Sequence, residues 1–390
     1  MRVVYCGAFR LPCFDAAAQR VLNNAKSFRA LGHEVYFISW GGRYREQDLC
    51  LDGKYRVEGF EYVITDELDA TGIWNKISLR FNRGVKSYSI LARTEKKLDL
   101  IIMYNASYCW TRKMIGFCRK RNIKLANDIT EWYSNNELYL PDIIPNALNM
   151  RILQHCVPNK IVISSFLNKC YPESNNLLMP PICDPSESKW SQVVEDDRIT
   201  TFDGVTLVYA GNPTKKDCLH TIINAVNVLA SEGEKIRFLI LGTTRENYLM
   251  FYRKLLNIGD IHKNIIFLGH VSQELVPAYY RKADFMVLLR ESNRKSNAGF
   301  PTKVAEAMTA KIPVICNATS DLLEYVHDGK NGFLVGGYTL EDILKTLRER
   351  VLPLGREDIE QIKKNTSSTN SVFAYSYYNK EVHHFLNNLK

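Results

Sequence analysis

No two of the ten cysteines are spaced as a CxxC pair, and none of the eight histidines stands at a metal-ligand spacing from another. Zinc-site and thioredoxin-type chemistry are thereby disfavoured. Thiols inside apolar runs, as in Val4-Tyr5-Cys6 and Val314-Ile315-Cys316, read as core residues of a protein kept in a reducing compartment. No apolar run approaches the ~18 residues that cross a bilayer. The chain enters a strand-like run, Arg2-Val3-Val4-Tyr5, almost at once, so no leader is expected and the expected location is cytoplasmic. Tracts of Gly, Ser, Pro or Gln and short internal repeats are also lacking. With 46% hydrophobic and 24% charged residues, both halves of the chain have the composition of folded protein. Gly7, in CGAFRLPCFD, stands without the second and third glycines of the dinucleotide fingerprint, which argues against a nicotinamide dehydrogenase. Nucleic-acid binding has only the net charge of +9 in its favour, with no zinc, helix-turn-helix or ribonucleoprotein motif.

What is present is alternation. At 390 residues the chain exceeds the size to which one core usually grows, so two domains are expected. Short β-rich runs alternate with longer amphipathic stretches, the pattern of parallel sheets covered by helices. The first series comprises 2–6, 34–39, 98–104, 124–129 and 160–164; the second comprises 205–210, 236–241, 264–268, 285–289 and 312–316. Between the first two runs, Val21, Leu22, Ala25, Phe28 and Leu31 recur at helical spacing, and Gly32 supplies a left-handed cap. The expected organisation is a Rossmann-like domain over 1–180, a linker over 181–203, a second such domain over 204–370, and a terminal helix within 371–390 packed back on the fold. The fold class is α/β, with two doubly wound parallel sheets facing across a cleft, where such sheets bind ligands.

The most informative segment is 291–311, ESNRKSNAGFPTKVAEAMTAK. Gly299 and Pro301 mark a loop turning into a helix, with Pro301 suited to the first helical position. A helix N-terminus offers free amides and the positive end of its dipole, and a lysine in the first turn adds a full charge for a diphosphate. Lys303 is that residue. Glu306, three positions on, shares its face and suits ribose hydroxyls; in isolation the two equally describe a solvated i, i+3 ion pair.

The run GFPTKVAEAMTAKIPVIC, followed by Tyr325-Val326-His327-Asp328-Gly329-Lys330-Asn331-Gly332-Phe333-Leu334-Val335, resembles the donor half of the retaining GT-B glycosyltransferases of family 4. The opening, with Asp15 to Arg20 and Leu31-Gly32-His33-Glu34-Val35, resembles the same family. The resemblance implies the GT-B fold, a nucleotide-diphosphate sugar as donor, and donor contacts from Asn297, Gly299, Phe300, Pro301, Thr302, Lys303 and Glu306. It implies no cofactor and no catalytic metal, and no DxD motif is present. Where the family often carries a sugar-contacting glutamate, this chain has Ala298, with Glu291 or Asn297 as candidate substitutes. Asp128-Ile129-Thr130-Glu131-Trp132-Tyr133 resembles the family's D-x-H-E segment, with Thr130 in place of the histidine, so Thr130 and Glu131 are the catalytic candidates. A threonine hydroxyl hydrogen-bonds a sugar but does not do imidazole chemistry. The alternative is a strand-end acid capping a loop. The loop Gly211-Asn212-Pro213-Thr214-Lys215-Lys216-Asp217 is similar to the family's phosphate-binding loop, but lacks its arginine and holds its lysines about one residue out of register. Lys216 is expected at the donor phosphates, ahead of Lys215.

Residues 74–97 hold seven Lys or Arg against one Glu. Ile77, Phe81, Val85 and Tyr88 recur at helical spacing behind Trp74, although Gly84 interrupts the run. This describes either a basic helix lying on an anionic membrane or a core-packed helix with a charged outer face. In the first case Trp74, Lys76, Arg80, Arg83 and Lys86 lie on the acceptor or membrane side, and the protein is peripheral on the inner face of the cell membrane. The expected activity is retaining transfer of a hexose from a nucleotide sugar to a glycan or polyprenyl-linked acceptor, in surface polysaccharide or glycoconjugate synthesis. A non-catalytic nucleotide-binding scaffold and a sugar-nucleotide epimerase of the same architecture are the alternatives.

Overall fold

A computed structural model describes residues 1–12, 15–68, 83–213, 215–256 and 260–390. The chain divides into two compact units, one formed by Met1–Ile182 with Tyr375–Lys390 and the other by Cys183–Ala374.

The first unit is built on β1 (Arg2–Leu11), β2 (Glu34–Gly42), β3 (Tyr55–Val57), β4 (Phe60–Ile64), β5 (Leu100–Tyr104), β6 (Lys124–Ile129), β7 (Asn159–Val162) and β8 (Asn175–Leu178). They form one sheet in the order β3-β4-β2-β1-β5-β6-β7-β8. Its pairings are parallel apart from the β3–β4 edge. Because strand side chains alternate, β1 feeds two cores. Val3 and Tyr5 join one that holds Val21, Leu22 and Phe28 of α1 (Ala16–Ala30). Val4 and Cys6 join another that holds Leu91 of α2 (Val85–Arg93) and Trp110, Met114 and Phe117 of α3 (Tyr108–Arg121). The Asp15 carboxylate caps α1 by accepting from Ala18 N at 2.8 Å, and Gly32, at φ 81°, follows its end as expected. A further helix, α4 (Leu140–Arg151), lies against α3 and buries Asn149 and Met150.

The second unit carries β9 (Val205–Ala210), β10 (Ile236–Leu241), β11 (Ile265–Gly269), β12 (Phe285–Leu288), β13 (Val314–Asn317) and β14 (Gly332–Val335). Its sheet is parallel in the order β11-β10-β9-β12-β13-β14. The strand order reverses between β9 and β12, so the loops leaving those strands diverge and open a crevice at their carboxyl ends. Two helices stand beyond β12: α5 (Arg294–Ala298) and α6 (Thr302–Thr309).

From Cys183 on, the stretch expected to be a linker is built into the second unit. Trp190 Nε1 donates to Asp184 O at 2.7 Å, Arg281 Nη1 donates to Trp190 O at 2.7 Å, and Tyr279 Oη donates to Asp196 at 2.9 Å. At the other end of the chain, α7 (Asn379–Asn387) buries Val382, Phe385 and Leu386 in the first unit's core beside α1. The basic segment differs from a continuous helix over 74–97. Arg83 and Gly84 form a turn, Gly84 adopts φ 88°, and α2 starts at Val85. A β-carbon on Gly84 would lie 2.2 Å from the Trp110 ring, so the close approach to α3 dictates glycine there. Val85 is exposed while Ser87 and Leu91 are buried, and Tyr88 packs on Phe117 with ring centroids 5.2 Å apart. Over 85–93 the segment is a core-packed helix with a charged outer face; Trp74, Lys76 and Arg80 lie outside the described residues.

Candidate functional site

At the β9–β12 switch point, four polar side chains from separate pieces of chain converge. Tyr209 comes from β9, Asp217 from the short turn Lys215–Asp217 that follows, Arg290 from just past β12, and Lys303 from the first turn of α6. Asp217 is buried and accepts from all three partners. Tyr209 Oη donates to its Oδ2 at 2.8 Å, Arg290 Nε donates to its Oδ1 at 2.9 Å, and Lys303 Nζ makes a short contact with Oδ2. Lys303 Nζ also donates to Tyr209 Oη at 3.1 Å and stands 4.8 Å from the centre of the Tyr209 ring.

Burial by itself pushes the Asp217 carboxyl upward, but Lys303 and Arg290 outweigh it and hold the group well below the usual carboxylate range. The same burial pulls Lys303 below an ordinary lysine, partly offset by Asp217. Two cations against one carboxylate leave the cluster with a surplus positive charge. Arg290 also keeps donor capacity, because its Nη1 is buried and makes no hydrogen bond to a described residue. Ser296 Oγ in α5, and Thr319 Oγ1 and Ser320 Oγ in the loop after β13, are likewise buried and without a hydrogen-bond partner among the described residues. Unsatisfied buried polar atoms are costly and cluster where a ligand completes them.

Glu306, one turn along α6 from Lys303, is partly buried; its carbonyl accepts from Ala310 N at 2.9 Å, while its carboxylate makes no hydrogen bond to a described residue. Burial raises its pKa, with Lys189 and Lys303 opposing. Lys189 in turn pairs with Glu187 at 2.5 Å. Asn297 ties two loops together, its Oδ1 accepting from Ser320 N at 3.0 Å. Gly299 N donates to Lys295 O at 3.1 Å and so closes α5. Phe300 is buried edge-on to Tyr325, with centroids 5.3 Å apart. Pro301 stands one place earlier than expected: it is the capping residue, Thr302 begins α6, and Val304 N reaches back to Pro301 O at 3.0 Å. Ala298 is fully buried and Glu291 is exposed. Lys216 is half-buried on the turn next to Asp217.

The structure thus brings Lys303 together with the loop that holds Lys216, and adds Tyr209, Asp217 and Arg290, which sequence reasoning did not single out. Asp217 was visible beside the lysines, but an acid has the wrong sign for a phosphate site. Only its burial between two cations reveals what it does.

In the first unit, Asp128 is fully buried and engaged by Arg20 at 2.8 Å, by Asn24 Nδ2 at 3.2 Å and by Tyr5 Oη. Such a desolvated, fully hydrogen-bonded carboxylate is a structural anchor for β1, α1 and β6. Thr130 follows at the strand end in a reciprocal pair: Asn105 Nδ2 donates to Thr130 Oγ1 at 2.6 Å, and Thr130 N donates to Asn105 Oδ1 at 2.9 Å. Glu131 is half-buried and accepts from Tyr133 Oη.

The family described as glycosyl transferases group 1 matches residues 198–368, the stretch that holds this whole cluster. Residues 198–368 are a group 1 glycosyltransferase domain. The chain is 26% identical over 219 residues to a trehalose synthase of Thermococcus litoralis, an alignment covering 51% of each protein. That match therefore spans about half the length of the curated relative. Over its full length the chain is similar in structure to a sucrose-phosphate synthase from Thermosynechococcus elongatus, with a TM-score of 0.75, 14% identity, and coverage of 100% of this chain and 98% of the other. It is also similar to Anabaena Alr3699/HepE in complex with UDP-glucose, with a TM-score of 0.68, 15% identity and full coverage of both chains. Two parallel-sheet α/β units with this likeness are the GT-B fold, and the group 1 domain is its second unit.

Proposed function

We propose that the protein is a retaining glycosyltransferase that moves a hexose from a nucleoside-diphosphate sugar to a glycan or polyprenyl-linked acceptor, as in the building of a surface polysaccharide or glycoconjugate. The observation that carries the reading is the placement of Lys303, Arg290 and their shared Asp217 at the switch point of a group 1 domain. The donor's diphosphate takes the surplus positive charge, with Lys303, Arg290 and Lys216 facing its oxygens and the amides at the start of α6 adding the helix dipole. Glu306 accepts from the ribose hydroxyls. Its carboxylate stands one turn from Lys303, a spacing that suits a nucleoside and its phosphates. A relative of the same fold held UDP-glucose, which makes that donor the first to try.

As the bond from the sugar's C1 to the phosphate oxygen breaks, negative charge grows on the leaving diphosphate. The cations stabilise that state more than the ground state, which is what lowers the barrier. The acceptor hydroxyl attacks C1 from the same face, and its proton passes to the departing phosphate oxygen, so configuration is retained without a protein nucleophile. Side chains neutralise the diphosphate, and no metal or cofactor is required in this scheme. The first unit serves the acceptor, with Thr130 and Glu131 as its candidate hydrogen-bonding groups for a sugar. No helix among the described residues is long and apolar enough to cross a membrane, and cytoplasmic chemistry on a soluble donor is part of the proposal.

The test is a panel of UDP-, GDP-, ADP- and TDP-sugars, read by thermal stabilisation and by release of the nucleoside diphosphate. Stabilisation by one nucleotide class with release is the expected result, and the anomeric proton coupling of the product reads the stereochemistry. Ala298 and Thr130, standing where the family carries Glu and His, favour one rival: a scaffold that binds nucleotide without turnover. Stabilisation without release in the presence of acceptors would establish that rival, and no stabilisation by any donor would overturn both.

A further inference from the structure

The first unit exposes a row of large apolar side chains that its own fold does not use. Leu140 is 85% exposed, Ile144 69%, Leu148 37% and Ile152 56%, at four-residue intervals along α4 and just past its end. Tyr139 stands 79% exposed ahead of them, and the exposed prolines Pro141 and Pro145 lie between them. The ridge runs ~18 Å at 1.5 Å per residue. The opposite side of α4 is well held: Asn149 Nδ2 donates to Ala106 O at 2.7 Å, and Tyr171 Oη donates to Met150 O at 2.8 Å. The outward row is therefore fixed in place on a packed helix. Scattered single exposed apolar residues are ordinary, but a contiguous row on one helix marks an interaction surface.

Charge identifies its partner. The neighbouring α3 carries Arg112, Lys113, Arg119, Lys120 and Arg121 and no acid in its sequence, and all five are exposed. Arg151 ends α4 in the same sense, and Asp142 is the one acid within α4. An apolar ridge beside a row of cations matches a surface that offers both hydrocarbon and phosphate. A second copy of the chain fits worse, because a two-fold contact through α4 would bring the two basic α3 helices together. We propose that α4 seats the protein on an anionic phospholipid bilayer, with Leu140, Ile144, Leu148 and Ile152 entering the interfacial layer and the α3 cations meeting lipid phosphates. This surface is separate from the donor site and goes beyond the proposed transfer reaction.

The experiment is flotation of the full chain with vesicles of phosphatidylcholine alone or with phosphatidylglycerol, at low and high salt. Wild type should float with the anionic vesicles and lose binding as salt rises. The Ile144→Glu, Leu148→Glu double variant should bind at least ~10-fold more weakly, and Arg112→Glu with Arg119→Glu should remove the preference for phosphatidylglycerol. Because all four side chains are exposed, melting temperature should be unchanged. Failure of wild type to float, or equal binding by the Ile144→Glu, Leu148→Glu variant, overturns the proposal. So does a dimer that this variant disperses while no form binds vesicles. Donor-induced stabilisation of the same samples reports on the nucleotide site separately, so the two readings fail independently.

Discussion

Gly211 passes so closely under Lys303 that a β-carbon on residue 211 would stand 2.4 Å from Lys303 Cε. Its φ of 139° is also one that other residues rarely adopt. The bare backbone after β9 is what lets the lysine reach Asp217. Gly211→Ala should therefore push the flexible lysine end aside and strain the turn, costing roughly 1–3 kcal/mol of stability. Donor affinity should fall about tenfold or more, since the displaced charge faces the diphosphate. A thermal melt and a nucleotide titration on one preparation check both.

Lys303→Ala and Glu306→Ala should both weaken donor binding but separate in stability. Lys303→Ala leaves Asp217 with one cation and should destabilise the fold. The Glu306 carboxylate bears the cost of burial without a hydrogen bond to a described residue, so Glu306→Ala should leave the melting temperature unchanged or raised while donor affinity falls. Full donor affinity and turnover in both variants, with the fold intact, would sink the site assignment.

Asp217→Asn should be the most damaging single change in the cluster, leaving buried Arg290 and Lys303 without their counter-charge at a cost of about 3–5 kcal/mol. The wild-type carboxyl titrates lower folded than unfolded, so its contribution is fully present above the unfolded pKa of ~3.9 and is lost as pH falls from there. Urea unfolding across acid pH should show that loss in wild type and a shallower dependence in Asp217→Asn.

Lys160 predicts the opposite end of the pH scale. It is fully buried, and burial lowers its pKa to about 7. Its Nζ donates to Val157 O and Ser174 Oγ, each at 2.6 Å, which matches the two protons of a neutral amine. Between pH 7 and the unfolded value of 10.5, the unfolded chain binds more protons than the folded one. Stability should therefore rise with pH across that window, by up to about 1.4 kcal/mol per unit from this residue. Lys160→Met should abolish that slope in denaturation measured at several pH values.

Much of this was legible in the sequence. Each of the ten strand runs read from it, from Val3 to Cys316, coincides with a strand, because buried parallel strands are nearly continuous apolar runs. Strands β3, β4, β8 and β14 were not read: three to five residues at or next to a sheet edge carry too weak a period. The linker composition at 181–203 misled, since Pro-, Ser- and Asp-rich sequence also describes a loop pinned by Arg281 and Tyr279.

By itself the sequence determined the doubly wound architecture and the position of the Lys303–Glu306 pair on a helix that follows a Gly-Phe-Pro entry, because periodicity and turn chemistry are local. Tertiary structure alone decided that Asp217, Arg290 and Tyr209 belong with Lys303. They are separated by up to 94 residues and meet only where the strand order reverses between β9 and β12. It also decided that Leu140, Ile144 and Leu148 face outward, since an apolar row on a helix looks the same in sequence whether it meets a core or solvent, and only packing on the opposite side settles which.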